Sequence, residues 1–176
     1  MYEISQLILL LMLILILTPA VYASYTAAPF IPTKKGDIAR IIRLARFKKN
    51  DLFMELGAGN GRIMLAIAKN HPQIKVSGIE IHPLLWLIIT IRILINGLGK
   101  RVKVKLDSFN RQNLKEADVI YCFLMPKPME KLKEKFKREC RKGTRIISRA
   151  FPIPGWKAQE ISAGKNELPI YLYQIK

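Results

Sequence analysis

The chain has 176 residues, 50% of them hydrophobic, with 30 Lys and Arg against 13 Asp and Glu for a net charge of +17. That length allows one domain plus an appendage, and the apolar share is ample for a core. The cationic excess favours an anionic partner, and two cysteines and two histidines without ligand spacing exclude a zinc module or a disulfide framework, so no metal is expected.

Ile4 to Thr33 carries no charge, and Leu7 to Leu17 is an unbroken run of Leu, Ile and Met. About twenty such residues span a bilayer as a helix, so residues 4–23 read as one transmembrane anchor. A cleaved signal peptide competes, because Val21-Tyr22-Ala23 could pass for a cleavage site; against it, only Glu3 and no Lys or Arg precedes the run. Lys34 and Lys35 are the first cations, and the positive-inside rule then predicts a single-pass membrane protein, N-terminus outside and globular part cytoplasmic. Residues 24–36 read as a proline-containing linker and 37–176 as the domain. Between Thr33 and Phe47 an amphipathic helix is expected, with Ile38, Ile41, Ile42 and Ala45 on one face and Arg40 and Arg43 off it. A basic helix there suits an acidic lipid surface, or is an ordinary covering helix with a solvated face.

The chain is organised around Asp51 to Arg62. Leu52 to Leu56 reads as a buried strand, Gly57-Ala58-Gly59-Asn60-Gly61 as a tight turn, and Arg62 onward as a helix. Such a turn admits a ligand close to the backbone and points a helix N-terminus at it. The spacing is G-x-G-x-G, one residue shorter than the dinucleotide fingerprint. Glu55 stands two residues before the first glycine, and Glu80 closes the next strand, Lys75 to Glu80, where a ribose-binding carboxylate belongs.

Pro83 opens a helix over Leu84–Ile95 that is apolar almost all round and stops at Asn96-Gly97. At roughly 20 Å it is too short for a ~30 Å hydrocarbon core. Its outer face either docks on a membrane or partner, or is buried beneath the linker and first helix. Val102 to Leu106 alternates as a third strand ending at Asp107-Ser108, and Asp118 to Leu124 is the fourth, followed by Met125-Pro126. Met129, Leu132, Phe136 and Cys140 form the seam of the next helix, and Thr144 to Ser148 is the fifth strand. Phe151 to Trp156 is an aromatic, proline-rich loop, and 157–162 with 168–175 read as a terminal hairpin.

The glycine turn, with Glu55 inside its motif and Glu80 after the next strand, resembles motif I and its partner acid in class I S-adenosylmethionine-dependent methyltransferases. The resemblance implies an α/β, Rossmann-like seven-stranded sheet with helices on both faces. It implies S-adenosylmethionine as cofactor, its methionine part on Gly57, Ala58, Gly59, Asn60 and Gly61, its ribose on Glu80, and its adenine near Asp107 and Ser108. Glu55 and Leu124 complete that expected site.

Four further stretches narrow the resemblance. Ala28-Pro29-Phe30-Ile31-Pro32-Thr33, Gly59-Asn60-Gly61-Arg62-Ile63, Phe123-Leu124-Met125-Pro126 and Phe151-Pro152-Ile153-Pro154-Gly155-Trp156 resemble the membrane-associated lysine N-methyltransferases that modify the ATP synthase c-ring protein and adenine nucleotide translocase. This implies a lysine of an integral membrane protein, such as one like the c-ring protein of ATP synthase, as acceptor, and Phe30, Pro126, Phe151, Pro152 and Trp156 as the channel that admits it. That family often has Asp at the position of Asn60 and commonly Asn at that of His82. No catalytic base is assigned. An RNA methyltransferase would also explain the charge, and a non-catalytic membrane adaptor with a cofactor-type fold is a further alternative. Nothing resembles an aromatic RNA-binding platform.

Overall fold

The computed structural model describes residues 2–26, 33, 35–165 and 167–176. Most of the expected linker, and Phe30 with it, lies outside the described residues.

Helix α1 (Tyr2–Thr26) is followed by α2 (Lys35–Ala45) and then by an alternation of strands and helices. The strands are β1 (Leu52–Leu56), β2 (Lys75–Glu80), β3 (Val102–Leu106), β4 (Val119–Cys122), β5 (Arg145–Arg149), β6 (Glu160–Ser162) and β7 (Ile170–Gln174). Between them run α3 (Arg62–Asn70), α4 (Pro83–Ile95) and α5 (Pro126–Glu139). They form one seven-stranded sheet in the order β3-β2-β1-β4-β5-β7-β6. Strands β1 to β5 are mutually parallel, and β7 runs antiparallel to both β5 and β6. The order reverses between β1 and β4, and ligands of such sheets bind at that switch point, beyond the strands' carboxyl ends.

Both faces are covered, as the central strands require: Phe53 to Leu56 and Val119 to Cys122 are buried throughout. On one face Ile41 and Leu44 of α2, Met64 and Ile67 of α3, and Ile89 and Ile93 of α4 pack against Phe53, Val76 and Tyr121. On the other, Met129, Leu132 and Phe136 of α5 pack against Leu56, Ile120 and Ile146.

The bounds of β1, β2 and β3 agree with the sequence reading. Strand β4 is shorter than the expected 118–124: Asp118 stands at its margin, its backbone bonded to Leu52 and Arg145 at 3.0 Å each, and Phe123 leaves the ladder to lie under Arg149. Helix α5 starts earlier than its apolar seam, with a proline in its first turn, where a missing N–H costs nothing. The hairpin keeps only its inner rungs, Glu160 to Ser162 against Ile170 to Leu172.

The described side chains of α1 at 3–18 and 21 are all exposed. Among the described residues no helix is long and apolar enough to cross a membrane. The structure therefore gives the expected anchor no direct support.

Candidate functional site

The glycine turn leaves β1 in a backbone path that side chains disfavour. Gly57, Gly59 and Gly61 have φ of 81°, 57° and 73°, in the left-handed region where glycine pays no steric penalty. The path is pinned from both sides. Gly57 N–H and Ala58 N–H donate to the Ile79 carbonyl at 3.0 and 2.9 Å, and Gly61 N–H closes back on the Ala58 carbonyl at 2.8 Å. A Cβ on Gly61 would meet Ile89 at 3.0 Å, so α4 packs directly on the turn. Gly78 of β2 is equally tight: a Cβ there would stand 2.7 Å from the Met64 Sδ. That glycine lets α3 sit down on the sheet beside Glu55, its register partner.

Glu80 is the hub of the site. One carboxylate oxygen accepts the Gly59 N–H at 2.7 Å, and the other accepts Ile81 N–H at 2.9 Å and His82 N–H at 2.8 Å. A carboxylate has about four acceptor positions, so roughly one remains for a ligand hydroxyl. Burial pushes the Glu80 pKa up against the pull of those backbone donors. His82 then caps α4, its ring accepting the Leu84 N–H at 3.2 Å. It fills the capping position that an Asn would also suit.

Asp107 lies next to Glu80, its N–H donating to the Glu80 carbonyl at 2.9 Å. Its carboxylate holds the following turn together, accepting Ser108 N–H and Arg111 Nε at 2.7 Å each and the Gln112 side-chain amide. The hydrogen bond from Arg111 lowers its pKa. Asp107 thus shapes the 107–112 loop. Leu124 is buried with its Cδ2 3.6 Å from where a Gly57 Cβ would be, so the loop after β4 also reaches the turn. Glu55, Gly57 to Gly61, Glu80, Asp107, Ser108 and Leu124 therefore gather at one end of the sheet.

Glu55 is the buried carboxylate beneath the turn. Its oxygen accepts the Met64 N–H at 3.0 Å at the start of α3. Desolvation raises its pKa well above the usual 4.5, the Met64 N–H opposes this, and the Glu80 charge adds to it. The folded chain thus holds this proton more tightly than the unfolded one does. Glu55 stabilises the fold fully below the ordinary carboxyl range, and that contribution is lost as pH rises through the raised pKa. The melting temperature of the unliganded wild type should therefore fall relative to Glu55→Gln between about pH 5 and pH 8. A difference that stays constant across that range would show Glu55 to be unshifted.

Three side chains of this region carry no motif signal. Arg92 reaches from α4 to the Asn60 carbonyl at 2.6 Å; its one trace in the sequence is a lone cation in an apolar helix. Tyr121, next to Glu55 in the register, has a buried hydroxyl whose pKa desolvation raises. Arg149 at the end of β5 binds Asp37 of α2 through Nε at 3.1 Å and Nη2 at 2.7 Å, and lies 4.5 Å from the Phe123 ring centroid.

The expected channel residues divide. Pro126 and Pro152 are exposed and Phe151 is half-buried. The Phe151 carbonyl accepts the Ser148 hydroxyl at 2.5 Å, which ties the loop to β5. Trp156 packs between Phe136 and Tyr173, at centroid distances of 6.5 and 6.0 Å. Its ring is half-buried on the α5 side of the sheet.

The turn, its free backbone approach and the acid ring fit an S-adenosyl group: an exposed Gly57, a fixed Glu80 and a third acid after β3. Comparison with known proteins agrees. Residues 55–160 match the family described as the ANTKMT methyltransferase domain. A protein-lysine N-methyltransferase of Saccharolobus islandicus (strain REY15A) is 31% identical over 150 residues, covering 84% of this chain and 93% of that protein. An adenine nucleotide translocase lysine N-methyltransferase of Mus musculus is 25% identical over 152 residues, covering 84% of this chain and 63% of that protein. Among solved structures, an RNA methyltransferase from Salinibacter ruber in complex with S-adenosyl-L-homocysteine superposes with a TM-score of 0.78 at 26% identity, covering 82% of this chain and 94% of that one.

Proposed function

The chain belongs to the family of the ANTKMT methyltransferase domain, and from that premise we propose that it methylates a lysine side chain of an integral membrane protein. The enzyme depends on S-adenosylmethionine. The observation that carries the substrate class is the similarity, over 84% of this chain, to a protein-lysine N-methyltransferase.

When bound, S-adenosylmethionine supplies a methyl group on a sulfonium: the S–C bond breaks as the lysine N–C bond forms, and S-adenosylhomocysteine leaves. The chain contributes alignment, the larger part of such an in-line displacement. The glycine turn offers backbone to the methionine end, Glu80 its remaining acceptor position to the ribose, and the 107–108 turn a wall to the adenine. Glu80, its carboxylate held by three backbone N–H groups, places negative charge beside a cationic ligand, which favours it by Coulomb attraction. An acceptor lysine must be neutral to attack, and its reference pKa of about 10.4 keeps well under 1% so at pH 7. A channel lined by Phe151, Pro152 and Pro126 would lower that value by desolvating the ammonium. The ammonium proton then passes to water, and no dedicated base is required.

The membrane reading rests on the uncharged 4–33 stretch followed by cations. Residues 4–23 act as a single-pass anchor that leaves the domain cytoplasmic, and tethering raises the effective concentration of acceptors at the bilayer. Incubating the full chain with tritiated methyl donor and membranes should put label on lysine nitrogen of a membrane-embedded protein, read by mass spectrometry of the labelled band. Label on total RNA, with none on protein, would transfer the assignment to the nucleic-acid class. Resistance of the chain to carbonate extraction should accompany the first result.

A further inference from the structure

We infer that the outward face of α4, together with the cationic β3 edge beside it, seats the domain on an anionic bilayer; the inference rests on the membrane reading above. Leu84, Leu87, Ile88, Ile91, Leu94 and Ile95 recur at helical spacing and are 37–79% exposed, while Ile89 and Ile93 on the opposite side are buried against the sheet. A helix that merely covers a sheet keeps its outer face polar. At roughly 20 Å, α4 is too short to cross a bilayer and suits only an in-plane seat.

Charge identifies the occupant. No Asp or Glu occurs between Glu80 and Asp107, whereas Lys100, Arg101, Lys103 and Lys105 follow α4 directly. Lys100, Lys103 and Lys105 are exposed along the turn and edge strand. An apolar stripe with a cationic edge beside it complements acidic headgroups over acyl chains. The same edge repels a second copy of this chain. Helix α1, apolar and exposed, makes contact with α4, so the two surfaces adjoin.

The seat also reaches the active site. Ile89 lies under Gly61 and Arg92 holds the Asn60 carbonyl at 2.6 Å, so α4 and the cofactor turn move together. Lipid contact through α4 therefore fixes the height of the cofactor turn above the bilayer, which an N-terminal tether alone leaves free.

The test uses the full chain with one reporter tryptophan, made as Trp86→Phe and Trp156→Phe with either Ile91→Trp on α4 or Lys131→Trp on the outward side of α5. The chains are bound to phosphatidylglycerol vesicles with brominated acyl chains. The reporter at position 91 should lose about half or more of its emission, as a side chain at the headgroup–acyl boundary does, and the reporter at 131 should keep its emission. Loss at 91 should shrink in phosphatidylcholine vesicles and with rising salt. A further Leu87→Glu should abolish the loss at 91 while S-adenosylhomocysteine affinity is unchanged. Vesicle-bound chain with an unquenched reporter at 91, whether tethered by α1 alone or paired with a second copy, overturns the proposal. Equal quenching of both reporters overturns it too. Because no acceptor protein is present, failure here is separate from failure of the lysine assignment.

Discussion

Glu80→Ala should weaken S-adenosylhomocysteine binding by about 1.5–3 kcal/mol, the loss of a charged hydrogen bond, or roughly 10- to 150-fold in Kd. The effect is large because this carboxylate does two things. It keeps one acceptor position that we propose the ligand uses, and it holds the Gly59, Ile81 and His82 N–H groups. Removing it leaves those donors to water or to nothing, so the glycine turn loosens and the α4 cap weakens with it. Glu80→Gln separates the two roles. Its amide oxygen can keep part of the backbone bonding, so the turn should survive better than in the Ala variant, while the loss of charge still weakens binding. Isothermal calorimetry on both variants reads the difference. Wild-type affinity in Glu80→Ala would remove this residue from the cofactor site.

Much of this arrangement was legible in the sequence, and what was legible was local. A buried strand, three alternate glycines and a helix within Leu52 to Asn70 required only neighbouring residues to agree, and the bounds of β1 agree with the expected ones. The acids after β2 and β3 were legible because strand ends in this topology fall on one edge of the sheet. The order β3-β2-β1-β4-β5-β7-β6 then brings Glu55, Glu80 and Asp107 together. What pattern reading missed depends on residues far apart in the chain. Arg92 reads as an interruption of an apolar helix until Asn60, 32 positions away, is seen beneath it. Trp156 reads as a channel aromatic from its loop alone, and its contacts with Phe136 of α5 and Tyr173 of β7 come from residues far along the chain. The outer face of α4 was open to two readings, because periodicity cannot tell an apolar face that is covered from one that is bare. Exposure of Leu87 and Ile91 decides against burial.

Asp37→Ala should destabilise the domain by about 3–5 kcal/mol, the cost of stranding a buried charge. Arg149 is 2% exposed, and Asp37 binds it through both Nε and Nη2. The remaining nitrogen, Nη1, is already without a hydrogen-bond partner among the described residues, so the guanidinium has little else to turn to once the carboxylate is gone. The Phe123 ring beneath it offers a cation–π contact, which softens the loss without replacing an anion. Asp37 also accepts Arg40 Nη1 at 2.9 Å, and Arg40 in turn donates its Nε to the Ser162 hydroxyl at 3.0 Å. One carboxylate thereby fastens α2 across β5 and the terminal hairpin. Replacing both partners tests whether the penalty belongs to the stranded charge. Asp37→Leu with Arg149→Met should recover most of the stability, because a buried pair exchanged for apolar groups of similar size is often neutral. Thermal unfolding of the two single variants and the double variant measures the coupling. Methyl transfer should not recover with it, since Arg149 lies over Phe123 at the start of the loop after β4, and that loop reaches the glycine turn through Leu124. Full activity in the stable double variant would make the pair a fastening of the fold alone. Lost activity at recovered stability would make Arg149 a positioning residue for the loop after β4, through the Phe123 ring it covers.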